Sequence, residues 1–235
     1  MILWIVLFLL VVGISFILAL QSMRDYQEIP RKSKVDYGLF LIRQPEKFDV
    51  NLLDSIRRQM LAENLLVSIE RLFKGSQSAL TIFGPRNIVS SYSSQLSLLE
   101  LEDYAAGLNA EGISIWEVGL KKTGKFNPIN LNNIFNDLSQ LGEEEQFFWQ
   151  VVLATRKDEE NPFQAQIRAV VYSKDQTRRK TLSFDLQTIA SGELTKVPRP
   201  FSTQQMLDSF KQRSLSKDSK GPIISAEGAL RLLRI

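Results

Sequence analysis

The chain has 235 residues with 29 Lys+Arg against 26 Asp+Glu, a formal net charge of +3, no His and no Cys. The two zeros exclude Cys- or His-bearing zinc sites, thiolate nucleophiles, disulfides, iron–sulfur ligation and His-based triads. Any enzyme built from this chain would have to use carboxylates, Lys, Ser/Thr, Tyr or a carboxylate-bound metal.

The hydrophobic content is uneven. Residues 1–20 are apolar except for Gly13 and Ser15. The charge-free run Ile2–Leu20 would be roughly 28 Å long as a helix, close to the hydrocarbon thickness of a bilayer. The reading is an uncleaved transmembrane anchor over 1–21, carried by Ile2, Trp4, Phe8, Phe16 and Leu20. A cleaved signal peptide is the rival; it wants a basic start, a shorter apolar run and a small-x-small cleavage site. Arg24, Arg31, Lys32 and Lys34 follow the run and no basic side chain precedes it. The positive-inside rule then places the N-terminus outside and the body in the cytoplasm, as a single-pass cell-membrane protein with the lipid bilayer as a partner.

Residues 22–36, broken by Pro30, read as a juxtamembrane linker. Tyr37–Ile42 is a short apolar run suited to a strand. From Val50, Leu52, Leu53, Ile56, Met60 and Leu61 recur at helical spacing. Residues 65–73 and 79–85 read as a hairpin, Pro85 opens a second helix, and residues 98–104 form a closing strand. The order over 37–106 is strand–helix–strand–strand–helix–strand, a ferredoxin-like (βαββαβ) unit. Over 112–200 the order partly recurs. Residues 113–120 form a strand, 130–141 a helix, and 147–153 and 163–172 two strands joined by the charged turn 156–161. Residues 177–191 are helical, with apolar positions that are not cleanly periodic. The last part, 201–235, is a helical tail: a helix over 202–213 capped by Ser202, a polar linker over 214–222, and a terminal helix or strand over 226–233. The expected fold is therefore α+β, an N-terminal transmembrane helix followed by two ferredoxin-like units, the second incomplete or irregular.

No segment carries a catalytic constellation. Gly119–Phe126 fits G-x-x-x-x-G-K but puts Phe126 where a phosphate loop needs Ser or Thr, and reads as a basic surface turn. The acidic clusters Glu100/Glu102/Asp103, Glu143–Glu145 and Asp158–Glu160 read as solvated charge. The sequence thus implies no enzyme activity, no cofactor and no metal site. Residues 174–220 hold ten Lys/Arg against five Asp/Glu. Within them Arg178, Arg179 and Lys180 are the candidate contacts to nucleic acid or to a protein partner. On the strand 147–153, Phe147 and Trp149 share one face and Phe148 the other, so one side meets a helix and the other a partner or the neighbouring unit.

A resemblance rests on four stretches: Leu39–Pro45 followed by a helix, Val67–Glu70 leading to Leu80–Pro85, Leu99–Tyr104, and Leu141–Leu153 (LGEEEQFFWQVVL). Together they resemble the N-terminal, membrane-proximal, non-motor region of conjugation-type (type IV secretion-like) motor ATPases of small-genome bacteria. The likeness covers roughly residues 37–173. In that family a motor domain with Walker motifs follows; here no motor follows, so no catalytic residue carries over. The resemblance implies a membrane-tethered, non-enzymatic interaction or assembly module that recruits a separately encoded motor ATPase. The reading of the residues alone keeps a membrane-tethered nucleic-acid-binding protein as the alternative.

Overall fold

The computed structural model describes residues 12, 15, 28–29, 35–63, 65–120, 141–160, 162–189, 194–198, 201–216 and 221–233. The strands are β1 (Glu28–Ile29), β2 (Tyr37–Leu41), β3 (Leu66–Lys74), β4 (Gln77–Pro85), β5 (Leu99–Leu101), β6 (Ile113–Leu120), β7 (Gln146–Thr155), β8 (Phe163–Tyr172), β9 (Leu194–Val197), β10 (Leu215–Ser216) and β11 (Ile223–Ile224). The helices are α1 (Val50–Leu61), α2 (Arg86–Ser90), α3 (Ser93–Leu96), α4 (Gln176–Ile189), α5 (Thr203–Gln212) and α6 (Ala226–Leu233).

Alternation along the strands decides the layers, because successive side chains point to opposite faces. Val67, Ile69 and Phe73 of β3, Phe147, Trp149, Val151 and Leu153 of β7, and Ala165, Ile167, Ala169 and Val171 of β8 join one core cluster. That cluster also takes Leu52, Leu53, Ile56 and Met60 of α1, Ile88 and Val89 of α2, Leu182 and Leu186 of α4, and Leu230, Leu232 and Leu233 of α6. The intervening residues face the other way. There Phe148 and Val170 pack against Leu207 and Phe210 of α5. The central strands are covered on both faces, which is why β7 reads as a near-continuous apolar run, whereas β8 alternates Gln164, Gln166 and Arg168 with its core residues.

Among the described residues the sheet has nine strands in the order β5-β2-β4-β3-β7-β8-β6-β9, with β11 pairing β8; β1 and β10 form a separate two-stranded ladder. Every pairing is antiparallel. The two halves run through the same order of connections, and they meet where β3 pairs β7 from Leu66↔Ala154 to Lys74↔Gln146. Glu70↔Gln150 is the middle pair of that ladder.

This architecture corrects the expected one. The transmembrane helix followed by two ferredoxin-like units does not stand: β2 to β5 and β6 to β9 belong to one sheet, fused along the β3–β7 ladder and sharing a core. Element order along the chain is blind to such an edge-to-edge junction, because each half satisfies its own pattern alone. Among the described residues no helix is long and apolar enough to cross a membrane. The single-pass membrane placement, with the N-terminus outside and the body cytoplasmic, is corrected accordingly. Ile2, Trp4, Phe8, Phe16, Leu20, Arg24, Arg31, Lys32 and Lys34 lie outside the described residues, as does the expected helix over 130–141 apart from Leu141.

Two local readings also change, and the choice between helix and strand over 226–233 falls to the helix. The strand expected over 98–104 stops at Leu101, because the Asp103 side chain accepts from the Ala105 N–H and starts a 3-10 turn at Tyr104–Gly107. The polar linker expected over 214–222 begins instead with buried Ser214 and Leu215. The last strand of the second half is β9, just before Pro198, and residues 226–233 form the helix α6. Trp149 Nε1 and Arg71 Nη1 donate to the Leu232 and Leu233 carbonyls (2.9 and 3.3 Å), capping the end of α6 where helix carbonyls lack intrahelical partners.

Candidate functional site

On the face opposite the main core, strand register lines up polar side chains across five strands. Glu117 of β6 sits opposite Arg168 of β8, Arg168 opposite Gln150 of β7, Gln150 opposite Glu70 of β3, and Glu70 opposite Thr81 of β4. All five are buried. Burying charge is costly unless it is paired and hydrogen-bonded, and here the pairing is dense.

Glu70 is the hub. Its Oε1 accepts from Ser68 Oγ (2.8 Å), Gln150 Nε2 (3.0 Å) and Arg213 Nε (3.0 Å); its Oε2 accepts from Tyr104 Oη (2.8 Å) and Arg213 Nη2 (3.3 Å). Arg213 reaches it from the C-cap of α5, where the residue adopts a left-handed backbone at φ 49°. This conformation is uncommon for a non-glycine residue. It aims the guanidinium down at the sheet, where it also pairs with Asp103 and stacks 4.5 Å over the Phe83 ring. Arg168 donates to Gln150 Oε1 (3.1 Å) and to the Ser214 carbonyl (2.7 Å); Gln150 Nε2 donates also to the Phe210 carbonyl (3.0 Å). The row therefore holds the carbonyls at the end of α5 as firmly as it holds itself. Ser202 caps the other end with a full capping box.

The electrostatics follow from this geometry. Burial works to lower the Arg213 pKa, but the charge of Glu70 and the hydrogen bonds to Asp103 and Glu70 outweigh it, and the group is held above its ordinary value. Burial, then the negative charge of Glu70, pushes the Tyr104 phenol well above its usual pKa. Both groups stay protonated over the whole neutral range. The site is a closed charge-balancing network, with its donors spent on internal acceptors and its cover fastened by the same bonds.

The sequence-stated candidates fall elsewhere. Arg178 is bound in an ion pair to Glu145 (2.9 Å), Arg179 is buried and donates to the Ser173 carbonyl (2.6 Å), and Lys180 is exposed on α4. The triplet does not form one surface. Glu144 pairs with Lys174 (2.7 Å), and Glu145 also accepts from the Gly142 N–H (2.8 Å). Burial raises the Glu145 pKa, but the Arg178 hydrogen bond, the Gly142 N–H and the Arg178 charge together outweigh it and the carboxyl is lowered. Glu100 pairs with Arg86, as does Asp36, and Asp103 belongs to the Arg213 network. Among the described residues no three metal-ligating side chains converge. Gly119 lies in β6; the rest of the Gly119–Phe126 stretch beyond Leu120 lies outside the described residues. Phe147 and Trp149 face the main core and Phe148 stacks on Tyr104 at 5.0 Å, so both sides of that strand are covered within the chain.

The Glu70–Arg213 network was not singled out from sequence. Its signal is a polar residue at the centre of several apolar strands (Glu70, Gln150, Arg168, Glu117), which alone also fits a solvated face.

On α4 the outward face carries an exposed Phe184, 70% accessible. Thr181 Oγ1 donates back to the Thr177 carbonyl (3.2 Å) and Thr188 Oγ1 to the Phe184 carbonyl (2.9 Å). Such back-bonding engages the hydroxyls with the helix itself, while exposed Lys180 stands one helical turn before Phe184. The two sheet edges are guarded: β5 is three residues long with Glu100 in its middle, and β9 presents exposed Lys196 and is followed by Pro198. Short strands, charge and proline all discourage edge-to-edge pairing.

No family model matches the chain, and no curated protein matches it. Among solved structures, one match is the crystal structure of Bermuda grass isoallergen BG60, one of the pollen group 4 allergens. The TM-score is 0.39 at 12% identity, over 84% of this chain and 51% of that chain. The chain thus spans about half the length of that protein, and a likeness of this size carries no argument about function.

Proposed function

We propose that this chain is a non-enzymatic interaction or assembly module that engages a protein partner through the outer face of α4. The observation that carries the reading is Phe184: a large aromatic side chain standing 70% exposed on a helix whose other face is seated in the core. Aromatic anchors of this kind dominate interface energies when a partner desolvates them. The flanking threonines have engaged their hydroxyls with the helix, so those hydroxyls lose little on desolvation. The closed Glu70–Arg213 network supports the non-enzymatic side, because its charged groups are spent on one another. Two of the three cations on which nucleic-acid binding would rest are engaged within the chain, which favours a protein partner. The partner class tested first is a separately encoded motor ATPase of the secretion-like type, on the strength of the sequence resemblance.

A photo-crosslinking amino acid placed at position 184 in cells, with one at exposed Gln204 on α5 as control, tests the reading. The expected result is one discrete adduct at 184 that is missing at 204 and disappears on competition with the unlabelled chain but not with its Phe184→Ala variant. Equal adducts at both positions, or none, would sink the interface. An adduct to a protein other than a motor ATPase would remove the recruitment part alone.

A further inference from the structure

The outer face of α4 carries a pattern beyond Phe184. At 3.6 residues per turn, buried Arg179, Leu182, Ser183 and Leu186 share one side of the helix. Exposed Thr177, Thr181, Phe184 and Thr188 form a stripe on the opposite side. Their spacing of four, three and four residues is that of a two-helix seam, whose positions return to the partner every 3.5 residues on average. Thr181 and Thr188 donate their hydroxyls back to the helix, so neither hydroxyl asks for a partner in the seam.

Charges of opposite sign border the stripe on its two sides. Lys180 precedes Thr181 and Asp185 follows Phe184, so exposed Lys180 lies along one side and exposed Asp185 along the other. Among the described residues no ion pair engages either of them. Arg178, on the Asp185 side, is already matched by Glu145. Residues flanking a seam pair between helices and set partner and orientation. In a parallel pair, the residue just before a seam position faces the residue five places later on the other helix, and Asp185 stands five places after Lys180. The face is therefore complementary to itself. Two copies related by a two-fold axis along α4 bring Phe184 against Phe184 and set Lys180 of each against Asp185 of the other. Antiparallel packing would put each flank against its own kind, and these charges would not meet. We infer that α4 of the free chain packs in parallel against α4 of a second copy, which any other partner for Phe184 must displace. This rests on the reading of α4 as an interface and names its occupant.

The chain has no Cys, so a single introduced thiol reports proximity without background. The purified full chain carrying Thr181→Cys should form a disulfide-linked dimer on mild oxidation, as should Thr188→Cys. Gln204→Cys, at an exposed position on α5, should not. Parallel pairing sets each seam position against itself, whereas antiparallel pairing sets it against a different one and gives neither dimer. In the Thr181→Cys chain, Lys180→Glu turns both ion pairs into repulsions and should weaken dimer formation roughly fivefold or more. Adding Asp185→Lys recreates the pairs with their signs exchanged and should restore dimer formation to within about twofold. No dimer from Thr181→Cys, an equal dimer from Gln204→Cys, or a double charge variant no better than Lys180→Glu alone would overturn the self-pairing. A discrete adduct to a different protein at position 184 in cells would then still uphold α4 as an interface, so the two readings fail separately.

Discussion

Replacing Arg213 by Met is the sharpest test of the buried network. The side chain is fully buried, as is its partner Glu70. Met keeps most of the aliphatic volume but removes the charge and every donor. The substitution would leave Glu70 ionised beneath α5, with only Ser68, Gln150 and Tyr104 to solvate it. Removing one partner of a buried ion pair costs about 3–5 kcal/mol. For a chain of this size that corresponds to a fall in midpoint of roughly 6–20 °C. Urea unfolding at pH 7, followed by circular dichroism and tryptophan fluorescence, would measure the loss. The mechanism is tested by adding Glu70→Gln, which removes the stranded charge while keeping an acceptor oxygen for Ser68 and Gln150 and turning an amide N–H toward the Tyr104 hydroxyl, which can accept it. The double variant should be more stable than Arg213→Met alone, with a coupling of roughly 0.5–3 kcal/mol. Simple additivity of the two single changes, or a loss below about 1 kcal/mol for Arg213→Met, would refute the view that the pair holds α5 on the sheet.

Other expectations follow from the same contacts. The Tyr104 phenol has a raised pKa in the folded chain, so above its unfolded value near 10 the unfolded state releases a proton that the folded state keeps. Stability should therefore fall as pH rises beyond about 10, and Tyr104→Phe should flatten that slope in unfolding experiments between pH 9 and 11. Glu145 is lowered, so its contribution is present above the unfolded carboxylate range and lost as pH falls through the folded value. Glu145→Gln should show a shallower acid slope below pH ~4.5 than wild type. Ser202→Ala removes the capping box of α5 and should cost about 1 kcal/mol, read as a lower urea midpoint with an unchanged m-value. Phe184→Ala should leave stability within about 0.5 kcal/mol, which separates its expected loss of partner binding from any loss of fold.

What the sequence made legible is what local periodicity controls. Val67, Ile69 and Phe73 alternate, Leu52, Ile56 and Met60 repeat at helical spacing, and Ser202 precedes a helix; these elements stand in the structure at nearly those bounds. What it hid is what neighbours in space control. Glu70 looks solvated because it alternates with apolar residues, and only the ladder to Gln150 and the arrival of Arg213, far along the chain, turn that face into an interior. Ser214 and Leu215 look like linker because polar residues follow them, yet Arg168 on β8 binds the Ser214 carbonyl and draws the segment onto the sheet. The basic triplet fails as a unit for a related reason. One turn of helix points Arg178, Arg179 and Lys180 in three directions, so one meets Glu145, one turns inward to Ser173 and one meets solvent. The seam between the halves is the strongest instance: β3 and β7 each read as a sound strand alone, but nothing local records that they are edges for each other. Pairing them places Glu70 and Gln150 at the centre of the sheet, where a charge must find a partner, and Arg213 at a left-handed helix end is the residue that meets it.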